Sequence, residues 1–147
     1  METLSFEIAE TAHAMRRAFD RKAAMLGVTR AQWRVLFRLS RSPGLRQVEL
    51  AEMLDVEPIT LSRILDRLAD AGLVDRLADP DDRRARRLHL TTKAEPTIVK
   101  LRRVADRLFA EAVAGIEPDD LARMKANLAA IRKNLAAAEP IRKVANQ

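Results

Sequence analysis

Hydrophobic positions recur at helical spacing along most of the chain. Apolar residues at steps of three, four or seven predict one amphipathic helix through about residue 26: Leu4, Ile8, Ala12, Met15, Phe19 and Leu26. A second helix is predicted over residues 29–39, with Trp33, Leu36 and Phe37 on its apolar side. A short third helix is predicted over residues 47–54, where Val48, Ala51 and Leu54 fall together.

The fourth helix, over residues 58–71, has the clearest separation of apolar and polar sides. Pro58 stands where a first helical turn begins, a position that tolerates the missing N–H of proline. At about 100° per residue, four apolar residues share one narrow arc: Leu61, Ile64, Leu65 and Leu68. Polar residues project from the other side: Thr60, Arg63, Asp66, Arg67 and Asp70.

Two short strands are predicted after this helix. The stretches LVDRL and RRLHL, residues 73–77 and 86–90, are rich in apolar residues and flank a loop that is crowded with aspartate and arginine. A charge run of this kind is typical of any solvated loop. Its position between two strands predicts the tip of a β-hairpin.

Helical spacing returns at the C-terminal end. Thr92 and Glu95 have capping-box spacing, and one apolar stripe follows: Ile98, Leu101, Ala105, Leu108 and Ala112. A last helix, over residues 118–135, repeats apolar residues in alternating steps of three and four, which is typical of a seam against another helix: Leu121, Met124, Leu128, Ile131 and Leu135. The tail, residues 139–147, is expected to fray.

The terminal helices carry more apolar surface than a small central unit can cover. We therefore expect them to pack on each other and on a second copy of the chain, because a closed homodimer is the commonest solution. A monomeric helical bundle with wide helix faces is the alternative.

Composition narrows these predictions. The 147 residues suit one folding unit, and 48% hydrophobic with 3% aromatic residues favours helices over sheets. Together with the two predicted strands, this predicts a mainly α fold with a small β-hairpin. A net charge of +6 suggests a polyanionic partner, either nucleic acid or a membrane. With no cysteine and only His13 and His89, no metal or cofactor is expected. We find no long apolar run and no signal-like N-terminus, and therefore expect a cytoplasmic protein without a membrane partner.

The order helix, short helix, turn, helix, hairpin describes a winged helix-turn-helix, although two ordinary packed helices give a similar pattern. At this point the chain resembles the MarR family of winged-helix transcriptional regulators. The family's wing motif, Asp-x-Arg followed after five residues by Leu-Thr, is matched by Asp82, Arg84, Leu90 and Thr91. The family usually has glycine three residues after that threonine, where this chain has Ala94. The sequence Lys-Ala-Glu-Pro at residues 93–96 resembles the SlyA-like subgroup in this respect.

The resemblance implies a division of the chain and a set of DNA contacts. Residues 29–93 would form the DNA-binding region, and residues 1–28 and 94–138 the helical dimerisation region. Thr60, Ser62 and Arg63 would face the major groove, with Arg67 on the same side of the helix. Arg84 would enter the minor groove, oriented by Asp82, while the other wing arginines attract phosphate: Arg83, Arg86 and Arg87. Arg63 could equally be a solvated surface arginine.

A ligand pocket is also implied by the resemblance. Family members often bind a small molecule between the dimer helices and the winged unit, which would place Trp33 on the pocket wall, with His13 and Arg17 near it. For His13, packing at the dimer interface is the alternative.

The leading hypothesis is a homodimeric, sequence-specific regulator of transcription, repressor or activator, that binds double-stranded DNA and responds to a small anionic aromatic effector. A small-molecule-binding module whose winged helix contacts protein is the alternative. An enzyme is not expected, because no glycine-rich phosphate loop, metal set or nucleophile pattern occurs in the sequence.

Overall fold

The computed structural model describes residues 2–138, so the expected fraying of residues 139–147 lies outside the described residues. The elements follow one another in this order: α1 (Glu2–Met25), α2 (Arg30–Arg41), β1 (Leu45–Arg46), α3 (Gln47–Leu54), α4 (Pro58–Asp70), β2 (Val74–Ala78), β3 (Arg86–Leu90), a single 3₁₀ turn (Thr92–Ala94), α5 (Glu95–Ala112) and α6 (Pro118–Ala138). The predicted mainly helical fold with a small antiparallel sheet is confirmed. The chain divides between Phe109 and Ala110 into two compact units.

The core of the first unit is built mainly from leucine. Helices α2, α3 and α4 supply most of it, and α1, β3 and the start of α5 complete it. The largest fully buried side chains are Leu36, Leu39, Leu50, Leu61, Leu65, Leu68, Leu88 and Leu101. Because Leu101 and the neighbouring Ile98 belong to this core, the beginning of α5 is packed together with the helix-turn-helix.

Helix α3 corrects one sequence prediction. Val48 was grouped with Ala51 and Leu54, but Val48 is 63% exposed and Leu50 is buried in its place. At about 100° per residue, Leu50, Ala51 and Leu54 span one arc, and Val48 lies more than about 100° from the middle of that arc. The buried side of α3 therefore turns Val48 outward.

The sheet contains a third strand that was not predicted. Its strand order is β1-β3-β2, and the two-residue β1 pairs antiparallel with β3 at Leu45↔Leu88 and Arg46↔Arg87. Two residues are too few to show an alternating pattern. Strand β2 begins one residue later than expected, because the N–H of Leu73 donates to the carbonyl of Leu68 (2.9 Å) and closes the end of α4.

Gly44 lets the chain approach the hairpin closely before β1. Its φ is +79°, a conformation that residues with a Cβ rarely adopt. Its N–H donates to the carbonyl of Leu88 (2.9 Å), and a Cβ at this position would lie 3.3 Å from Cε1 of His89. The backbone angle therefore favours glycine here, and a Cβ would in addition lie tightly against the ring of His89.

The entry into α5 also differs from the prediction. Thr91, not Thr92, occupies the N-cap position of the 3₁₀ turn, and it makes no side-chain cap. Its hydroxyl instead donates to the carbonyl of Gly72 (2.5 Å), and its N–H donates to the carbonyl of Leu73 (3.0 Å). These bonds tie the end of β3 to the turn between α4 and β2.

Helix α6, in the second unit, carries the predicted seam at its surface. No residue of α6 is buried, and Met124, Ile131 and Leu135 are exposed. In the first unit, α1 is also apolar on its exposed side, with Leu4, Phe6 and Met15 open to solvent. Each of these helices therefore presents apolar surface that its own unit leaves uncovered.

Candidate nucleic-acid interface

The outer face of α4 carries the polar residues that the sequence assigned to DNA reading. Thr60, Arg63 and Arg67 are exposed, and Ser62 is half-buried. The buried leucines of the same helix fix this orientation, because their side occupies the core. Helix α4 therefore presents hydroxyl and guanidinium groups outward from a rigid element.

An arginine of β2 fastens this helix to the hairpin. Nη2 of Arg76 donates to Oδ1 of Asp66 (2.6 Å) and to the main-chain carbonyl of Ser62 (3.2 Å). Both acceptors lie on α4. The position of the hairpin is thus set directly against the helix that the sequence assigns to the major groove.

The tip of the hairpin exposes its charges. Asp82, Arg83, Arg84 and Arg86 are all exposed. Oδ1 of Asp82 accepts from the main-chain N–H of Arg84 (2.9 Å), and the carbonyl of Asp82 accepts from the N–H of Ala85 (3.1 Å). Asp82 therefore shapes the backbone of the tip. The sequence prediction had its carboxylate orienting the guanidinium of Arg84, a contact that the structure does not describe.

The base of the hairpin contains a buried carboxylate that the sequence analysis missed. Arg46 and Arg87 stand directly opposite each other on β1 and β3, where like charges repel. Oδ2 of Asp79 accepts from Nε of Arg46 (2.9 Å) and lies 3.2 Å from Nε of Arg87. Asp79 is only 2% exposed. Its carboxylate therefore neutralises a repulsive cross-strand pair.

Further hydrogen bonds complete this base. Oδ1 of Asp79 accepts from the N–H of Asp81 (2.9 Å), and the N–H of Asp79 donates to the carbonyl of Ala85 (3.2 Å). Nη1 of Arg87 donates to the carbonyl of Gly44 (3.0 Å). The guanidinium of Arg87 is thus engaged inside the protein, unlike the other arginines that the sequence assigned to phosphate attraction.

The same contacts set the acidity of Asp79. The hydrogen bond from the N–H of Asp81 lowers the pKa of the Asp79 carboxyl most, burial opposes it, and the charges of Arg87 and Arg46 lower it further. The net result is a pKa below the usual 3.8. Asp79 is therefore ionised, and both ion pairs are formed, at neutral pH.

A groove joins the hairpin to the N-terminal ends of two helices. Its volume is about 430 Å³, and its walls come from the β1–α3 junction, the start of α4 and the hairpin tip. The lining residues are Arg46, Gln47, Val48, Pro58, Asp82, Arg84, Ala85 and Arg86. The structure therefore brings three predicted wing residues, Asp82, Arg84 and Arg86, next to the start of α4, whereas Arg83 and Arg87 do not line this groove. It adds Arg46, whose place in a two-residue strand gave no sequence signal.

Trp33 lies in an aromatic cluster rather than in a uniform aliphatic core. Its ring centroid is 4.9 Å from that of Phe19 and 5.8 Å from that of Phe37. Nε1 of Trp33 donates to Oδ1 of Asp20 (2.9 Å), and Arg30 binds the other carboxylate oxygen (2.7 Å from Nε). Burial raises the pKa of Asp20, but the bonds from Arg30 and Trp33 and the charges of Arg30 and Arg16 outweigh it, so the net pKa is lowered.

Two cavities include Trp33. The larger, about 530 Å³, is lined by Trp33, Arg34, Phe37, Arg38, Ser40, Arg41, Met53, Leu54, Arg102, Ala105 and Asp106. The smaller, about 210 Å³, is lined by Met15, Arg16, Phe19, Trp33, Phe37, Ala105, Leu108 and Phe109. Trp33 thus lies on the wall of both cavities.

The other two predicted pocket residues lie on the wall of neither of these cavities. His13 and Arg17 are exposed on α1 and line neither cavity. At about 100° per residue they point about 120° and 160° away from Phe19, which faces the cluster. Met15 and Arg16 take their place on the cavity wall.

Comparison with known proteins identifies the family. A sequence model of the MarR family matches residues 28–85. The solved transcriptional regulator PA3341 is 36% identical, with a TM-score of 0.81, and the match covers 91% of this chain and 98% of that chain. A MarR mutant from E. coli, solved in complex with operator DNA, is 27% identical, with a TM-score of 0.74 and coverage of 88% and 93%.

A third match supports the fold alone. A MarR transcriptional regulator from Methanosarcina mazei Go1 has a TM-score of 0.84 at 22% identity, over 95% of this chain and 100% of that chain. Taken with the identity to PA3341, these matches show that the chain belongs to the MarR family of transcriptional regulators. Across residues 2–138, no helix is both long and apolar enough to cross a membrane.

Proposed function

We propose that this chain is a homodimeric, sequence-specific DNA-binding regulator of transcription. Helix α4 enters the major groove, where Thr60, Ser62, Arg63 and Arg67 meet base edges and phosphates, and Arg84 of the wing tip enters the adjacent minor groove. The observation that carries this proposal is the shared groove. It places arginines of the wing beside the start of α4, so that one duplex contacts both.

The first test is selection of an operator from random duplexes, followed by affinity measurements at increasing salt. Affinity should fall steeply with salt, because bound arginines displace counterions from the phosphates. Arg63→Ala should cost about 1–3 kcal/mol and relax discrimination within each half-site. The matched control is Arg21→Ala, which removes an exposed arginine of α1. If Arg63→Ala weakened binding to all DNA sequences equally, Arg63 would contact phosphate and not a base edge.

The proposed dimer predicts the form of the operator. Two symmetric α4 helices should protect an inverted repeat whose half-sites lie about 34 Å apart, one turn of the duplex. The division into a DNA-binding region at residues 29–93 and dimerisation helices at 1–28 and 94–138 is part of the same proposal. Footprinting measures the spacing, and protection of a single half-site would contradict the dimeric arrangement.

The exposed apolar stripe of α6 supports the dimer and offers a direct test. Ile131→Asp places a charge in the stripe, whereas Ala126→Asp places the same charge about 140° away around the helix. We expect Ile131→Asp to sediment as a monomer and to lose most operator affinity, while Ala126→Asp remains a dimer. A dimer that survives Ile131→Asp unchanged would place the seam elsewhere.

Ligand control forms the last part of the proposal. The larger cavity beside Trp33 has a volume typical of small-molecule sites, and four arginines on its wall favour an anionic aromatic compound: Arg34, Arg38, Arg41 and Arg102. Binding would lower operator affinity only to the extent that the ligand prefers the state that does not bind DNA.

Salicylate is a suitable probe of this site. Titration should change Trp33 fluorescence and release operator, and Arg38→Gln should weaken both effects. Arg16→Gln, which alters only the smaller cavity, serves as the control. No change in either signal at millimolar salicylate would contradict ligand control. If the chain were instead a ligand-binding module that contacts protein, salicylate would bind and duplex DNA would not.

A further inference from the structure

An apolar side chain stands in the middle of the polar face of α4. Ile59 is 65% exposed. At about 100° per residue it points about 180° from the buried Leu68 and only about 40° from Arg63. The core is already filled from the opposite side of the helix by Leu61, Leu65 and Leu68. Ile59 therefore contributes little to the packing of α4.

A second exposed apolar side chain lies beside the start of this helix. Val48 of α3 is 63% exposed and shares the wall of the groove with Pro58, the residue that precedes Ile59. One exposed apolar residue is ordinary on any surface. Two of them, at the N-terminal ends of neighbouring helices, offer apolar surface on the side of the protein that is proposed to face DNA.

The charges around this surface indicate what covers it. Arg84 and Arg86 line the same groove, and Arg63 projects from the adjacent turn of α4. A protein partner would have to leave these guanidinium groups paired or solvated. A DNA duplex pairs them with phosphates, and its major groove exposes one apolar group, the C5-methyl of thymine.

We propose that Ile59 packs against the C5-methyl of a thymine in each operator half-site, with Val48 extending the same apolar contact. This inference rests on the proposed DNA-binding function and adds a determinant of sequence preference to it. Arg63 and Thr60 supply polar contacts. Ile59 favours thymine over cytosine for two reasons: it packs against the methyl group of thymine, and its side chain offers no hydrogen-bond acceptor to the amino group of cytosine.

The test removes the methyl group and nothing else. Each thymine of the selected operator is replaced in turn by deoxyuridine, which keeps the same base pair and the same O4 acceptor. At one symmetric position, wild-type protein should bind about fourfold more weakly per half-site, as expected for one buried methyl group. Ile59→Ala should bind the unmodified operator more weakly and be insensitive to deoxyuridine at that position.

Control variants distinguish the proposed thymine contact from the proposed DNA-binding function on which it rests. Met25→Ala removes another exposed apolar side chain, at the end of α1 and on the wall of neither the groove nor the two cavities beside Trp33, and should keep full sensitivity to deoxyuridine. Val48→Ala should reduce the sensitivity only in part. Tight operator binding that tolerates deoxyuridine at every thymine would overturn the role of Ile59 and leave the DNA-binding function standing. Failure to select any operator would overturn the function itself.

Discussion

The base and the tip of the wing use the same residue types for opposite purposes. At the base, the carboxylate of Asp79 is buried between Arg46 and Arg87 and binds both. At the tip, Arg84 and the carboxylate of Asp82 are exposed, and Asp82 binds a main-chain N–H rather than a guanidinium.

This difference explains why so much opposed charge is concentrated in residues 79–87. Paired, buried charges resist being separated, because a lone charge in the interior is poorly solvated. Exposed charges contribute little to folding but remain available to phosphates and grooves. The base therefore positions the wing, and the tip carries the charges that are proposed to contact DNA. Substitutions at the two ends should affect different measurements.

Replacing the buried carboxylate should have the largest effect. Asp79→Asn keeps the shape but leaves Arg46 and Arg87 opposed without a counter-charge. We expect both a lower melting temperature and a loss of operator affinity that exceeds the loss caused by any single substitution at the tip. Asp81→Asn, an exposed neighbour, is the control. A variant at Asp79 with wild-type stability would show that the ion pairs do not secure the wing.

The same residue gives a pH dependence with a defined sign. The pKa of Asp79 is lowered in the folded protein, so its contribution to stability is complete above the ordinary value of 3.8 and is lost as the pH falls through the lowered value. Acid should therefore destabilise wild-type protein more than Asp79→Asn over that range. Denaturant titrations at stepped pH measure the difference. Parallel curves for both proteins would argue against it.

The next largest effect is expected at the tip. Arg84→Ala should weaken operator binding by about 1–3 kcal/mol, because a guanidinium is lost from the minor groove. Its melting temperature should stay that of wild type, since Arg84 is exposed. Competition binding measures the operator affinity, and calorimetry on the same sample measures the melting temperature. A fall in stability equal to that of Asp79→Asn would remove the distinction between tip and base.

A smaller effect, with an informative sign, is expected for Asp82→Ala. Simple electrostatics predicts tighter binding, because a negative charge near DNA is removed. The bond from the N–H of Arg84 to Asp82 predicts roughly two- to tenfold weaker binding, because the tip loses its backbone conformation. The double variant with Arg84→Ala should lose less than the sum of the two. Tighter operator binding by Asp82→Ala would refute the role of this bond.

The smallest effects should separate two neighbouring arginines. Arg86→Ala should reduce the slope of affinity against salt by about one phosphate contact and leave stability unchanged. Arg87→Ala should instead lower stability, because its guanidinium binds Asp79 and the carbonyl of Gly44. Identical salt slopes and melting temperatures for the two variants would mean that adjacent positions on β3 do not differ as described.

The sequence predicted the elements better than it predicted their contacts. The helix at residues 47–54 and the strand at 86–90 were predicted with the bounds that the structure has, although the apolar spacing of that helix assigned Val48 to the wrong side. Strand β1 has too few residues for a pattern, and it carries Arg46, so the pairing of Arg46 with Asp79 had no local signal. Contacts between residues 33 positions apart depend on how the sheet closes.

Individual side chains were also predicted best where the helical pattern determines their position. Arg63 and Arg67 were correctly expected on the outside of α4, because helical periodicity determines exposure. Ile59 was overlooked, since an apolar residue near a helix end does not disturb the pattern around it. His13 and Arg17 were chosen by sequence position near a pocket, and the rotation of α1 turns them away from it. Their role in binding an effector stays a prediction, as does membership of the SlyA-like subgroup.

The closure of the wing loop has a consequence for how such proteins diversify. The N–H of Asp79 binds the carbonyl of Ala85, so that the residues between them form a segment whose two ends are joined by the scaffold. A short segment anchored in this way can change its sequence while the strands that hold it keep their positions. New tips could be exchanged between Asp79 and Ala85 without rebuilding the core, so a library confined to those five intervening positions is the natural starting point for engineering a regulator with a different operator.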